Sequence, residues 1–134
     1  MKRAVYIIFL LCLIFVLITG CTKDTDVSEG YVYVTIDATK ADKGIILSEY
    51  AVSLKEGTTV FDITFAACKD NGILMSSRGT VVTRYIEGIA DLYEFDLGPA
   101  SGWVYYVNDI SATIGCGLYE IKEGDKIRWE YIIE

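Results

Sequence analysis

Histidine is absent from all 134 residues. That excludes imidazole-based triads and dyads, zinc sites with imidazole ligands, and histidine coordination of a cofactor metal by this chain. Cysteine is scarce too: Cys12, Cys21, Cys68 and Cys116 are the four in the chain. Cys68 and Cys116 lie 48 positions apart, a separation that matches no metal-ligand spacing. Positive charge is also short. Twelve Lys and Arg face nineteen Asp and Glu, a formal net charge of −7, and such a surface repels nucleic acid and anionic lipid headgroups. No glycine-rich phosphate loop occurs, and the serines have only Lys or carboxylates as conceivable bases, with no Ser-Lys motif. The chemical inventory points to a binding protein rather than an enzyme.

What is present begins at the N-terminus. Met1-Lys2-Arg3 leads into the 15-residue apolar run Ala4 to Ile18 and then Thr19-Gly20-Cys21, a pattern that predicts a secretory signal over residues 1–20. A permanent membrane helix is the competing reading, but the run falls short of the about 20 apolar residues that spanning needs. The ending Leu17-Ile18-Thr19-Gly20-Cys21 resembles a bacterial lipobox, which implies lipidation at Cys21 and an extracytoplasmic chain anchored to the lipid bilayer. Loss of Lys2 and Arg3 leaves 10 basic against 19 acidic side chains, a count of −9, so attachment would come from the lipid and not from a basic patch. Residues 21–30 then read as the lipidated cysteine and a polar tether. In an exported setting Cys68 and Cys116 could form a disulfide, but two buried free thiols is the preferred reading.

Residues 31–134 suffice for one domain with one core. Val32, Val34 and Ile36 alternate with Tyr31, Tyr33, Thr35 and Asp37, the period of a half-buried strand. A second strand is expected over Ile45 to Lys55, ended by Glu56-Gly57. Thr59 stands three residues before Asp62, which predicts a capped helix over Val60 to Cys68 with Val60, Ile63, Thr64 and Ala67 on one face. Asp70-Asn71-Gly72 stops it. Further strands are expected at Thr80 to Tyr85, Leu92 to Phe95 and Trp103 to Asn108, and at Leu118 to Lys122 and Lys126 to Ile133 around a Glu123-Gly124-Asp125 turn. Two strands, one helix and then several strands predict an α+β roll, a β-grasp-like mixed sheet with one helix packed on it.

The carboxylates Asp91, Glu94 and Asp96 form the densest acidic group, read as a solvated turn because the Asp-x-Asp-x-Asp-Gly calcium signature is missing. Aromatics crowd the last third of the chain. Alternation puts Trp103, Tyr105 and Val107 on one side of their strand and Val104, Tyr106 and Asn108 on the other, while Ile127, Trp129 and Tyr131 share a face of the last strand. Most of these belong to the sheet core. With aromatics on both sides of one strand, one is expected to be exposed, where it suits a flat apolar ligand or a protein contact.

Three blocks carry a resemblance: Glu56-Gly57-Thr58-Thr59-Val60-Phe61-Asp62; Ser101-Gly102-Trp103-Val104-Tyr105-Tyr106-Val107-Asn108; and Tyr119 to Tyr131, containing Gly124-Asp125-Lys126-Ile127-Arg128-Trp129. In this order they resemble the bacterial transcobalamin-like C-terminal domain family, often lipoproteins, over about Tyr31 to Ile132. That family is similar to the small β domain of the vitamin B12 carriers transcobalamin and intrinsic factor. The resemblance implies a β-grasp-like fold and cobalamin or another corrinoid as ligand. It implies contacts from Arg78, Gly79, Thr80, Val81 and Val82 after the helix, and from Trp103, Val104 and Tyr105. A lone β domain offers half of the carriers' site, so it also implies a second binding subunit or an uptake transporter as partner. The alternative expectation is a non-catalytic β-grasp module that docks protein or carbohydrate at the cell surface.

Overall fold

The computed structural model describes residues 30–133. The signal at 1–20, the lipidation at Cys21 and the tether up to residue 29 lie outside the described residues. Eight strands and one α-helix follow in the order β1 (Tyr31–Ala38), a 3-10 turn (Thr39–Ala41), β2 (Gly44–Ser53), α1 (Val60–Asp70), β3 (Met75–Arg78), β4 (Tyr85–Ile89), β5 (Leu92–Tyr93), β6 (Gly102–Val107), β7 (Ile110–Ser111) and β8 (Lys126–Ile132). This is an α+β fold. A five-stranded sheet runs β2-β1-β8-β6-β7, and β3-β4-β5 form a second sheet of three. β1 and β8 pair in parallel, and β1 with β2, β6 with β8 and β6 with β7 pair antiparallel, so the larger sheet is mixed.

Strand β1 alternates as its sequence dictates. Val32, Val34, Ile36 and Ala38 are fully buried, and Tyr31 and Tyr33 face solvent. Register sets Trp129 of β8 between Ile36 and Tyr105, and Tyr131 opposite Trp103. Helix α1 covers this face with Val60, Ile63, Thr64, Ala67 and Cys68. Its start is the expected capping box: the Thr59 side chain accepts from the Asp62 amide, and the Asp62 carboxylate accepts the Thr59 amide at 3.0 Å. Satisfying orphan amides at a helix start is worth about 0.5–2 kcal/mol. Cys68 and Cys116 are both buried and free.

Two expected strands are absent, each for a local reason. The stretch Thr80 to Tyr85 becomes strand only at Tyr85. Gly79 takes φ +86, the Thr80 amide donates to Thr83 Oγ1 at 3.1 Å, and the Thr83 amide donates to the Thr80 carbonyl at 3.1 Å. These short-range bonds replace a sheet ladder despite the β-branched sequence. Leu118 to Lys122 contributes one isolated bridge, Thr59 to Glu120. Its polar groups serve the helix start instead: the Val60 amide donates to the Tyr119 carbonyl at 2.9 Å and the Ile121 amide to the Thr58 carbonyl at 3.0 Å. Glu123-Gly124-Asp125 is therefore a turn into β8 and not a hairpin. Leu92 to Phe95 ends as strand at Tyr93, and Phe95 turns away with φ +68. The polar β3 and the two-residue β7 carry too little periodicity to be legible beforehand.

Candidate functional site

The crowded aromatics are held from within the fold. Trp103 is 4% exposed and Tyr105 8%. Trp103 Nε1 donates to the Leu92 carbonyl at 2.8 Å, and Trp129 Nε1 to Thr64 Oγ1 at 2.8 Å. The Tyr131 hydroxyl donates to the Tyr93 carbonyl at 2.7 Å, and the Tyr105 hydroxyl to the Ile114 carbonyl at 2.6 Å. Ring pairs Trp103–Tyr131 and Tyr105–Trp129 have centroids 5.2 and 5.1 Å apart, within the range of favourable aromatic contacts. Tyr106, on the other side of β6, is half-buried beneath the Arg128 guanidinium, 4.1 Å from its ring centroid. The expectation of an exposed aromatic on this strand is thus corrected: an arginine covers the outward ring.

A half-open cleft of about 240 Å³ nevertheless forms against β6. Trp103, Val104 and Tyr105, with Trp129, supply one wall, Arg84 to Ile86 a second, and Ser111, Ala112 and Ile114 to Cys116 a third. Its lining is mainly apolar. Burial pushes the Tyr105 phenol up to about 12, so its hydroxyl remains a donor throughout the neutral range.

Residues 79–84 lie beside this cleft, against a strand-free segment where Gly117 permits the contact. A Cβ on Gly115 would make only ordinary contacts, at 3.6 and 3.7 Å from the Val82 and Arg84 carbonyls, whereas one on Gly117 would fall 2.3 Å from the Val81 carbonyl. Gly79 is constrained likewise: a Cβ there would sit 2.3 Å from the Thr83 carbonyl, and its φ is unfavourable for other residues. Val81 and Val82 are 60% and 65% exposed, with Ile114 and Leu118 exposed on the facing segment. A second cleft of about 260 Å³ opens between Val81, Arg84 and Gly117 on one side and the start of α1, with Thr59, Phe61 and Asp62, on the other. Arg84 lines both clefts.

The expected site residues therefore separate. Trp103, Val104 and Tyr105 line the first cleft and Val81 the second, while Val82 is exposed on the same turn. Gly79 and Thr80 shape the turn but line neither cleft. Arg78 is turned elsewhere: it pairs with Glu87 at 3.2 Å and Glu94 at 2.7 Å and stacks over Tyr85. Sequence reasoning passed over Arg84 and the stretch Ile114-Gly115-Cys116-Gly117-Leu118. Gly117 between Cys116 and Leu118 was the available signal of close backbone approach. Of the acidic group, Glu94 is held by Arg78, and the Asp96 carboxylate accepts the Tyr93 amide. Among the described residues no group of three or more Cys, Asp or Glu is placed to hold a metal ion.

Comparison with known proteins gives the fold its relatives. No curated protein matches the sequence. Haptocorrin in complex with Cbi superposes with a TM-score of 0.54 at 20% identity, covering 74% of this chain and 24% of haptocorrin. The chain therefore spans about a quarter of haptocorrin's length. A crystal structure from Ruminococcus gnavus ATCC 29149, of a protein provisionally described as metal-binding, superposes with a TM-score of 0.53 at 9% identity. It covers 78% of this chain and 97% of its own. At these identities the likeness is one of fold. The model of the domain of unknown function DUF4430 matches residues 57–132, more than half of the 134, and the chain belongs to this transcobalamin-like family.

Proposed function

We propose that this chain is a binding protein, tethered outside the cytoplasm through a lipid on Cys21, that captures cobalamin, another corrinoid or a similarly flat ligand. Its fold is read here as a β-grasp roll, on the parallel pairing of β1 with β8 at the centre of the sheet and the single helix across one face. The observation that carries the functional reading is the apolar cleft of about 240 Å³ against Trp103-Val104-Tyr105, flanked by the exposed Val81 and Val82, on a fold shared with haptocorrin.

The cleft is smaller than the about 300–1,000 Å³ of sites that engulf a ligand. It would therefore take an edge of a corrin ring while the valines cover part of its face. The driving force is burial of ring surface, at about 25 cal/mol per Å². Arg78 has no role in this contact, being committed to Glu87 and Glu94. One domain shields one face, so a second binding subunit, or a transporter that receives the ligand, completes the site.

Calorimetric titration of the full chain in detergent with cobalamin and with cobinamide tests this. Saturable binding, even at micromolar strength, is the expected result. No heat, together with no retention of the coloured ligand at high protein concentration, sinks autonomous capture. The second reading, a module docking protein or carbohydrate, draws on β2, a ten-residue outer strand of the sheet carrying an exposed Ile45, of the kind that strand-adding peptides use. It gains if corrinoids fail.

A further inference from the structure

The described residues include three arginines, each lying over an aromatic ring. Two of them are also neutralised. Arg78 over Tyr85 holds Glu87 and Glu94, and Arg128 over Tyr106 holds Asp109 and Glu130. Arg84 lies over Phe61 at 4.5 Å from the ring centroid and has no ion pair among the described residues. It is half-buried and lines both clefts. The one acid lining those clefts, Asp62, is engaged by Thr59 in the capping box.

A guanidinium packed over a ring and without an ion pair among the described residues stands out in a chain of net charge −7, where carboxylates are abundant. Packing against the ring restricts the side chain, so less entropy is lost when an anion docks on its N–H groups. Partial burial strengthens such a charge-assisted bond.

We infer that Arg84 reads an anionic group, and that the ligand is amphipathic. Its apolar body lies against Trp103, Val104 and Tyr105, and its carboxylate or phosphate sits on Arg84 where the two clefts meet. This rests on the reading of the first cleft as a ligand site, and it adds a charge requirement that apolar shape capture does not contain.

The test is a proton–nitrogen NMR titration of the full chain in detergent with three probes of one apolar body: naphthalene-2-carboxylate, 2-naphthyl phosphate and the uncharged naphthalene-2-carboxamide. The expected result is binding of at least one anion about tenfold or more tighter than the amide, with shifts at Arg84 Nε and Trp103 Nε1. The two anions distinguish carboxylate from phosphate preference. Arg84→Gln should weaken the anions selectively, by about tenfold more than the amide, and so bring the three level. Arg84→Lys, which keeps the charge without the fork, should be intermediate and serves if the glutamine variant does not fold. Equal affinities in the wild type, no binding of any probe, or equal weakening of all three by Arg84→Gln would overturn the inference. The corrinoid titration is scored separately: its failure with the anion preference intact removes corrinoids as the ligand class and leaves Arg84 in its role.

Discussion

The aromatic strands β6 and β8 and the turn of residues 79–84 are both rich in apolar side chains, and they place them in opposite ways. In the strands Trp103, Tyr105, Trp129 and Tyr131 are turned inward, and each polar tip has a fixed acceptor: Leu92, Ile114, Thr64 or Tyr93, while Tyr106 on the outer side lies under Arg128. In the turn the backbone is satisfied locally by Thr80 and Thr83, so the valines are left outward. Abundance of aromatics marked the core, while the turn leaves Val81 and Val82 exposed beside an arginine with no ion pair among the described residues. Packed and hydrogen-bonded, Trp103 and Tyr105 form a fixed wall of the first cleft, whereas the valines of the turn stand free of the core.

The comparison breaks most sharply at Trp129. Trp129→Ala removes a ring packed between Tyr105 and the helix, together with its bond to Thr64, and should cost about 3–5 kcal/mol in denaturant unfolding. A loss under about 1 kcal/mol would place the aromatic ladder outside the core.

High pH should reach the same core through its thiols. Burial raises Cys68 from 9.0 to about 11 and raises Cys116 as well. The folded state therefore keeps a proton that the unfolded state releases. Stability is undiminished below pH 9 and falls as pH climbs from 9.0 toward about 11, by up to about 1.4 kcal/mol per pH unit for each thiol. Cys68→Ala should flatten the slope of unfolding free energy against pH over that interval. In the native protein both thiols should resist alkylation at pH 8 and react once unfolded.

Thr59→Ala tests the seam between the two regions, because the helix start borders the second cleft. Loss of its capping bonds should cost about 1 kcal/mol, read as a lower denaturation midpoint with unchanged m-value. The smallest effect sharpens the contrast. Val81→Ser and Val82→Ser should leave stability within about 0.5 kcal/mol, yet each should weaken corrinoid binding by about tenfold if it loses about 1.4 kcal/mol of burial. Unchanged affinity in both variants would move the ligand off this turn.

Much of the fold was legible because its signals are local. The alternation of Tyr31 to Asp37, the pairing of Thr59 with Asp62 and the inward sets Trp103-Tyr105-Val107 and Ile127-Trp129-Tyr131 each follow from a single periodicity. The misread stretches, Thr80 to Tyr85 and Leu118 to Lys122, have strand-like composition but give their backbone bonds to a turn and to the helix start. Propensity cannot see such competitors, which come from other parts of the chain.

The candidate site divides along the same line. The family resemblance attaches to the strand of Trp103, Val104 and Tyr105, and that strand does line a cleft. That Arg78 is tied to Glu87 and Glu94 while Arg84 has no carboxylate could be known only from the folded chain, because ion pairing depends on distances between strands remote in sequence. By itself, the order of residues determined one capped helix, a sheet with an aromatic inner face, an acidic surface and a chain without histidine chemistry. Tertiary structure alone decided which apolar residues stay outside and which arginine stays unpaired, since both follow from backbone bonds and charges brought together across the fold.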